Sequence, residues 1–494
     1  MYSYFDQLSQ FSSKTAIVSG QQSYTYEQLL TSSAQIAACL LNGNKDLAEK
    51  RVTFMVNPGF NYVAVQWGIW RAGGVAVPLC ITQPLNALQY VIEDTQAAII
   101  IADEDYAALL DPLAAEKAKT FYQTSELLSA KNATLPQLNG ARKAMILYTS
   151  GTTNLPKGVV STFANLEAQI STLVKAWEWT SSDYTLCLLP LHHVHGIVNV
   201  VCCSLAVGAT CEFLNKFSAE TVFEIFKRKQ VNVFMAVPTI YYKLIACWDT
   251  LNSSEQKEIR SSLDTFRLMI SGSAALPVTV MERWKEISGN TLLERYGMTE
   301  IGMAISNPYR GERLPGYVGM ALPGVEVRLA AEDDSEVLNE PGEIQIKGKN
   351  VFLEYWQRPE ETQKSFTADG WFKTGDIASL EKGYYKILGR NSTDIIKSGG
   401  YKISALEIEE VLRTYPDISD CSVVGIEDEE WGELVAAALV ADQTLDTAKL
   451  KTWMREKMAP YKTPKKYLIL KELPRNAMGK VTKNDLKKLF IKTH

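Results

Sequence analysis

The stretch Leu147-Tyr148-Thr149-Ser150-Gly151-Thr152-Thr153-Asn154-Leu155-Pro156-Lys157-Gly158-Val159 decides how this chain is read. The apolar run from Ala144 to Leu147 leads into it as a buried strand. Thr149, Ser150, Thr152 and Thr153 then surround Gly151, followed by Pro156, Lys157 and Gly158. Hydroxyls and free backbone N–H groups donate hydrogen bonds, and a lysine adds a mobile point charge, so the loop suits a polyphosphate. A plain polar turn is the bland alternative. The loop is not a Walker A motif, because Pro156 stands where that motif needs its second glycine, and Gly158 follows the lysine where Ser or Thr belongs. Kinase and motor ATPase chemistry are disfavoured.

Working outward, the 494 residues allow one to three domains, and 46% hydrophobic with 22% charged residues is the composition of a globular protein. The net charge of −5, with no basic block, gives no reason to expect a nucleic acid partner. No apolar run reaches the roughly 20 residues of a membrane span. The N-terminus lacks the basic start and apolar core of a signal peptide. Eight cysteines, mostly inside apolar runs and never as CxxC, fit a reducing cytoplasm rather than a disulfide framework. The histidines of Leu189-Pro190-Leu191-His192-His193-Val194-His195-Gly196 have the wrong spacing and no acidic or Cys partners for zinc.

From Arg51 to about Leu293, strand-like runs alternate with helical patterns. Strands are expected at 51–56, 75–79, 97–102, 184–189, 231–237 and 267–270, and helices at 61–71, 166–177, 219–229 and 277–285. This predicts a large domain of doubly wound α/β layers. After Gly316 the pattern becomes β-rich, with period two over 324–329 and 342–348. The last hundred residues predict a small α+β domain: a helix N-capped by Ser404 with Glu407 completing a capping box, strands at 421–426 and 434–440, and a helix at 448–458. The polar stretch Gly389-Arg390-Asn391-Ser392-Thr393-Asp394 suits a hinge, so the expected division is 1–389 and 390–494, with the hinge near 390–392.

Further motifs follow the loop in order. Ser271-Gly272-Ser273-Ala274-Ala275 joins a strand to a helix with small residues that permit close approach of a ligand. Glu294-Arg295-Tyr296-Gly297-Met298-Thr299-Glu300 offers an aromatic face, a hydroxyl and carboxylates to a nucleotide and its metal. Thr374-Gly375-Asp376 carries an acid of the kind that holds ribose hydroxyls, although such an Asp is commonly a turn residue. Lys397-Ser398-Gly399-Gly400-Tyr401 is either a backbone made for close approach or a tight hairpin, and Lys480 sits on the glycine turn of Met478-Gly479-Lys480.

Taken together, these motifs resemble the adenylate-forming superfamily of acyl-CoA synthetases, peptide-synthetase adenylation domains and luciferases. The resemblance covers nearly the whole chain, and 294–300, 307–309 and 395–401 look most like malonyl-CoA synthetases. Asn154 replaces the family's usual glycine, a mild departure because Asn tolerates the left-handed region. The resemblance implies an AMP-forming acid–thiol ligase acting on ATP, a carboxylic acid and coenzyme A with Mg²⁺, as a monomer or homodimer with small-molecule partners only. It implies that Thr149, Ser150, Gly151, Thr152, Thr153, Lys157, Ser273, Ala274, Glu294, Tyr296, Gly297, Met298, Asp376 and Arg390 contact ATP or AMP. Glu300 would hold Mg²⁺ beside Thr299, His193 would gate the acyl pocket, and Lys480 would serve adenylation. Ser398, Gly399, Gly400 and Tyr401 would line the coenzyme A tunnel. Arg295, where fatty-acid enzymes carry an apolar or small residue, implies a second carboxylate on the acid, so malonate is expected first and methylmalonate next. Lys243 stands where malonyl-CoA synthetases place a second arginine. Another short or medium acid, or loading of a carrier protein in trans, is the alternative.

Overall fold

The computed structural model describes residues 4–129, 133–149, 156–475 and 481–492. Ser150, Gly151, Thr152, Thr153 and Lys480 therefore lie outside the described residues. Four sheets organise the described residues. The nine-stranded one runs, from edge to edge, Met320–Ala321, Gly302–Ser306, Leu293–Met298, Leu268–Ser271, Val233–Ala236, Tyr184–Cys187, Thr210–Phe213, Thr15–Ser19 and Gln22–Thr25. The seven-stranded one runs Glu354–Tyr355, Lys157–Thr162, Lys143–Thr149, Val75–Pro78, Arg51–Met55, Ile99–Ala102 and Thr120–Gln123. Their central strands are parallel and buried on both faces, which is why 99–102 reads Ile-Ile-Ile-Ala and 233–236 Val-Phe-Met-Ala. The expected α/β layers of a large N-terminal domain are therefore present.

A four-stranded antiparallel sheet follows, Val325–Ala330, Gly342–Gly348, Phe372–Glu381 and Tyr384–Arg390, in that order. The smaller C-terminal domain is built on the fourth sheet, in which Tyr401–Ser404, Ile395–Ser398, Gly432–Ala441 and Ile418–Asp428 are neighbours and Lys466–Leu470 pairs with 432–441. One apolar cluster joins residues from all three sheets of the large domain, Val52, Ile305 and Ile346 among them, with the helix residue Trp67 and the helix C-cap Trp177; the small sheet has clusters of its own around Leu439 and Val424.

Tertiary context moves several expected boundaries. The helix expected from 166 begins at Phe163, because Thr162 and Asn165 form a capping box. Ser404 caps the helix Ala405–Leu412 by accepting from the Glu407 N–H, but the expected reciprocal half is absent. The Glu407 carboxylate is taken instead by Lys462, with both oxygens 2.7 Å from Nζ. The apolar run His195–Cys202, outside the expected strands and helices, is a fully buried π-helix.

One buried ion pair ties the parallel strands together at their starts. Asp183 accepts two 2.6 Å bonds from Arg267 and another from Asn232, while the Thr180 N–H donates to the same carboxylate. Asp183 is 3% exposed, so removing it strands the guanidinium in a half-buried site. Asp183→Ala is expected to destabilise the large domain by about 3–5 kcal/mol. Denaturant unfolding checks this, and a loss under about 1 kcal/mol refutes it.

Candidate active site

The Leu293–Met298 strand supplies most of the site because its pairing changes along its length. It is parallel to Leu268–Ser271 through Leu293 and Glu294, then antiparallel to Gly302–Ser306, with a register shift between Tyr296 and Gly297. Gly297 is required there, since a Cβ would stand 2.0 Å from the Gly302 carbonyl oxygen.

Tyr296 points toward the strands that end the large domain. Its hydroxyl donates to Asp376 at 2.6 Å, and Arg390, paired opposite Asp376 in the sheet, brings Nε to 3.5 Å from the other carboxylate oxygen. Arg390 also donates to the Thr374 carbonyl at 3.1 Å. A tyrosine, an aspartate and an arginine that are distant in sequence thus share one edge.

On the other side of the same strand, Arg295 is 3% exposed and lies against the backbone of Gly272, where a Cβ would come within 2.5 Å of the guanidinium carbon. Its Nη2 is 3.4 Å from the Ser273 hydroxyl, and that hydroxyl is 3.0 Å from His195 Nδ1. Ser273 holds a left-handed φ of +67°, which turns its hydroxyl into this contact at some cost in strain. Among the described residues no ion pair is made by Arg295, and its Nε has no hydrogen-bond partner. Burial lowers the guanidinium to about 9, with Glu294 opposing. Burial also holds His195 well below the ordinary imidazole value, helped by Arg295 and His193, so its ring is neutral at neutral pH.

Glu294 is buried beside them. Its Oε1 accepts the Leu276 N–H at 3.2 Å. Burial pushes the carboxyl up to about 8, and Glu410 adds to the rise against the Leu276 bond and Arg295. Glu300 is buried too, accepting from the Tyr355 hydroxyl at 2.9 Å; burial raises it despite that bond and the positive charges of Arg390 and Lys157. Thr299, half-buried, precedes it in the turn. Lys157 faces Thr149 across the 143–149/157–162 hairpin, contacts Glu361 and lies 5.1 Å from the Tyr355 ring. Gly158 packs under Trp356, Tyr148 and Ile146, where a Cβ would clash.

Other expected residues fall elsewhere. Lys243 is exposed with its ammonium 5.6 Å from the Phe217 ring, outside the Arg295–Ser273–His195 cluster. Lys243 lies on the outer face of its helix, and its assignment to the acid rests on its place in the sequence. His193 has its ring centroid 4.1 Å from that of His192, tilted by 53°, and acts electrostatically on His195, a residue the motif contained but sequence reasoning did not choose. Ala274 is exposed beyond Ser273, and Met298 is half-buried. Ser398, Gly399, Gly400 and Tyr401 form the tight hairpin that was the alternative reading, with φ of +55° and +81° at the two glycines and Tyr401 stacked on Tyr461 at 4.4 Å.

For Mg²⁺, Glu300 is a suitable donor: a single buried carboxylate near Lys157 is what an ion held mainly by phosphates and water needs. Among the described residues no group of three acidic, His or Cys side chains forms a metal cage, and His192, His193 and His195 are not arranged as one.

Two α/β sheets, a β-rich continuation and a small α+β domain, with a Tyr–Asp–Arg edge where large and small domains meet, define the architecture of an adenylate-forming enzyme. A family model described as "AMP-binding enzyme" matches residues 4–356, and one for the "AMP-binding enzyme C-terminal domain" matches 407–480. The chain belongs to the AMP-binding enzymes. It is 45% identical to the mitochondrial malonate–CoA ligase ACSF3 of Xenopus laevis, covering 96% of this chain and 90% of that one. Among solved structures it is similar to ATP-bound MatB from Rhodopseudomonas palustris, at 32% identity, 99% coverage of both chains and a TM-score of 0.91. Against apo MatB at the same identity and coverage the TM-score is 0.83.

The Glu294 environment sets a pH dependence. Its folded value of about 8 stands above the ordinary 4.5. Between those values the folded chain keeps a proton that the unfolded chain has released, so stability falls as pH rises through this window. Arg295, lowered to about 9, acts in the opposite sense only above the window. Glu294→Gln is expected to flatten the decline of Tm from pH 5 to 8. Parallel Tm–pH curves for both proteins refute the assignment.

Proposed function

We propose that this enzyme joins malonate to coenzyme A in two steps through malonyl-AMP, releasing pyrophosphate and AMP. The observation that carries the choice of acid is Arg295: a buried guanidinium with no counterion among the described residues, beside the Ser273 hydroxyl and a neutral His195. Leaving such a charge unpaired is costly, and a carboxylate fits its fork. The similarity to malonate–CoA ligases supports the same reading.

In the first step one malonate carboxylate attacks the α-phosphorus of ATP; the new O–P bond forms as the bond to pyrophosphate breaks. The distal carboxylate is held by Arg295, with Ser273 and His195 fixing the guanidinium and His193 at the mouth. Tyr296 packs on the adenine, with Gly297, Met298, Ala274 and Glu294 completing its surroundings. Asp376, already oriented by the Tyr296 hydroxyl and Arg390, accepts the ribose hydroxyls. Thr149, Lys157, Thr299 and the loop residues Ser150, Gly151, Thr152 and Thr153 receive the phosphates. Mg²⁺ bound at Glu300 would offset phosphate charge. Lys480 completes this step from the small domain, a role that rests on its motif.

In the second step the coenzyme A thiolate attacks the acyl carbon and AMP leaves. Ser398, Gly399, Gly400 and Tyr401 are assigned to its tunnel. Since the hairpin and Lys480 belong to one small domain, we assign the division 1–389 and 390–494 and a rotation near 390–392 that exchanges them. The higher score against ATP-bound than apo MatB supports assigning the present arrangement to the first step. Eight free cysteines suit a reducing compartment, and we favour the cytoplasm, while the Xenopus relative is mitochondrial. Among the described residues no helix is long and apolar enough to cross a membrane.

Pyrophosphate release over a panel of acids with coenzyme A tests the substrate; faster turnover of acetate or octanoate than of malonate defeats it. Arg295→Ala is expected to lower kcat/KM for malonate by roughly 10⁴-fold while affecting short monocarboxylates far less. Lys480→Ala is expected to lose about 10²–10³-fold in malonyl-AMP formation and to spare thioester formation from supplied malonyl-AMP. Equal loss in both refutes its assignment to one step.

A further inference from the structure

The helix Val278–Ser288 begins without a cap of its own. Its N-cap position is Pro277, which offers no side-chain acceptor. The free Val278 N–H instead donates to Glu410 Oε2 at 3.2 Å. Glu410 is on Ala405–Leu412, the first helix of the small domain, so the cap comes from the other side of the proposed hinge. Arg413, one turn later, lies 3.1 Å from the other Glu410 oxygen and fixes the side chain. A second bridge crosses the same division: Lys402 Nζ stands 2.8 Å from Glu332 Oε1.

The helix start therefore receives two acidic side chains. Glu294, from the site strand, takes the Leu276 N–H; Glu410, from the small domain, takes the Val278 N–H. A helix N-terminus favours side-chain oxygen acceptors for its unpaired N–H groups. A rotation of the small domain has to break the Glu410 bond and separate Lys402 from Glu332, while Glu294 stays behind.

We propose that Glu410 is a positioning residue for acyl-AMP formation: it caps the large domain's helix from the small domain, with Lys402–Glu332 as a second strut, and it lets go before the thiol step. This rests on the two-step reading above. All three residues act through the placement of the small domain and none touches substrate.

The test measures the two half-reactions separately in the full-length enzyme, as malonate-dependent ATP–pyrophosphate exchange and as coenzyme A-dependent AMP release from supplied malonyl-AMP. Glu410→Ala is expected to slow exchange by about threefold to thirtyfold, with AMP release unchanged or faster. Glu410→Gln, which keeps an acceptor oxygen, should recover most of the exchange rate. Lys402→Glu and Glu332→Lys should each slow exchange modestly, and the double variant should restore it. Equal slowing of both half-reactions by Glu410→Ala, or no recovery in the Gln variant, overturns the proposal. Wild-type enzyme that exchanges with another acid but not malonate fails the substrate reading alone; the same ratios are then read with that acid.

Discussion

Backbone pairing of the 293–298 strand is the constraint on which the site depends. Alternation of side chains along this strand sends Arg295 inward against Gly272 and Tyr296 outward to Asp376, and the change of partner from Leu268–Ser271 to Gly302–Ser306, with its shift at Tyr296/Gly297, ends the parallel register there. Consecutive residues thus serve two pockets, one for the acid and one for the nucleotide in the function proposed here. The glycines at 272 and 297 make this possible by leaving room for a guanidinium and a carbonyl oxygen.

Electrostatics follow from the same geometry. Glu294 and Arg295 are neighbours in sequence and both buried, yet each is shifted toward its neutral form because burial outweighs their mutual attraction. Such a pair does not neutralise itself. It leaves a positive group with donors to spare and an acid that holds its proton at neutral pH, which is a polarity suited to an anionic guest.

Much of this was legible beforehand. The parallel strands announced themselves as β-branched apolar runs, and Arg295 stood out because fatty-acid relatives carry an apolar or small residue just before the Tyr-Gly. What sequence could not give was which of several similar residues turns inward. Three histidines share one short motif, but only the π-helix that starts at His195 directs that ring to Ser273. Lys243 matches by position, while helix phase leaves it exposed with its ammonium 5.6 Å from the Phe217 ring. Glu407 had the spacing of a capping box, and Lys462, far along the chain, outbid the local backbone for its carboxylate. The left-handed Ser273 carried no local signal, since that conformation belongs ordinarily to Gly or Asn.

The contact between Gly272 and Arg295 has a bearing on how the family could diversify. With a Cβ at 272 only 2.5 Å from the guanidinium carbon, any larger residue there expels the arginine, and any smaller residue at 295 leaves a hollow over the glycine. The two positions are therefore one unit of sequence change. A lineage moving from diacids to plain alkyl acids would have to pass through either a clash or a void, unless both positions changed together. Redesign of the acid pocket gains from treating them as a pair of alleles rather than as separate sites.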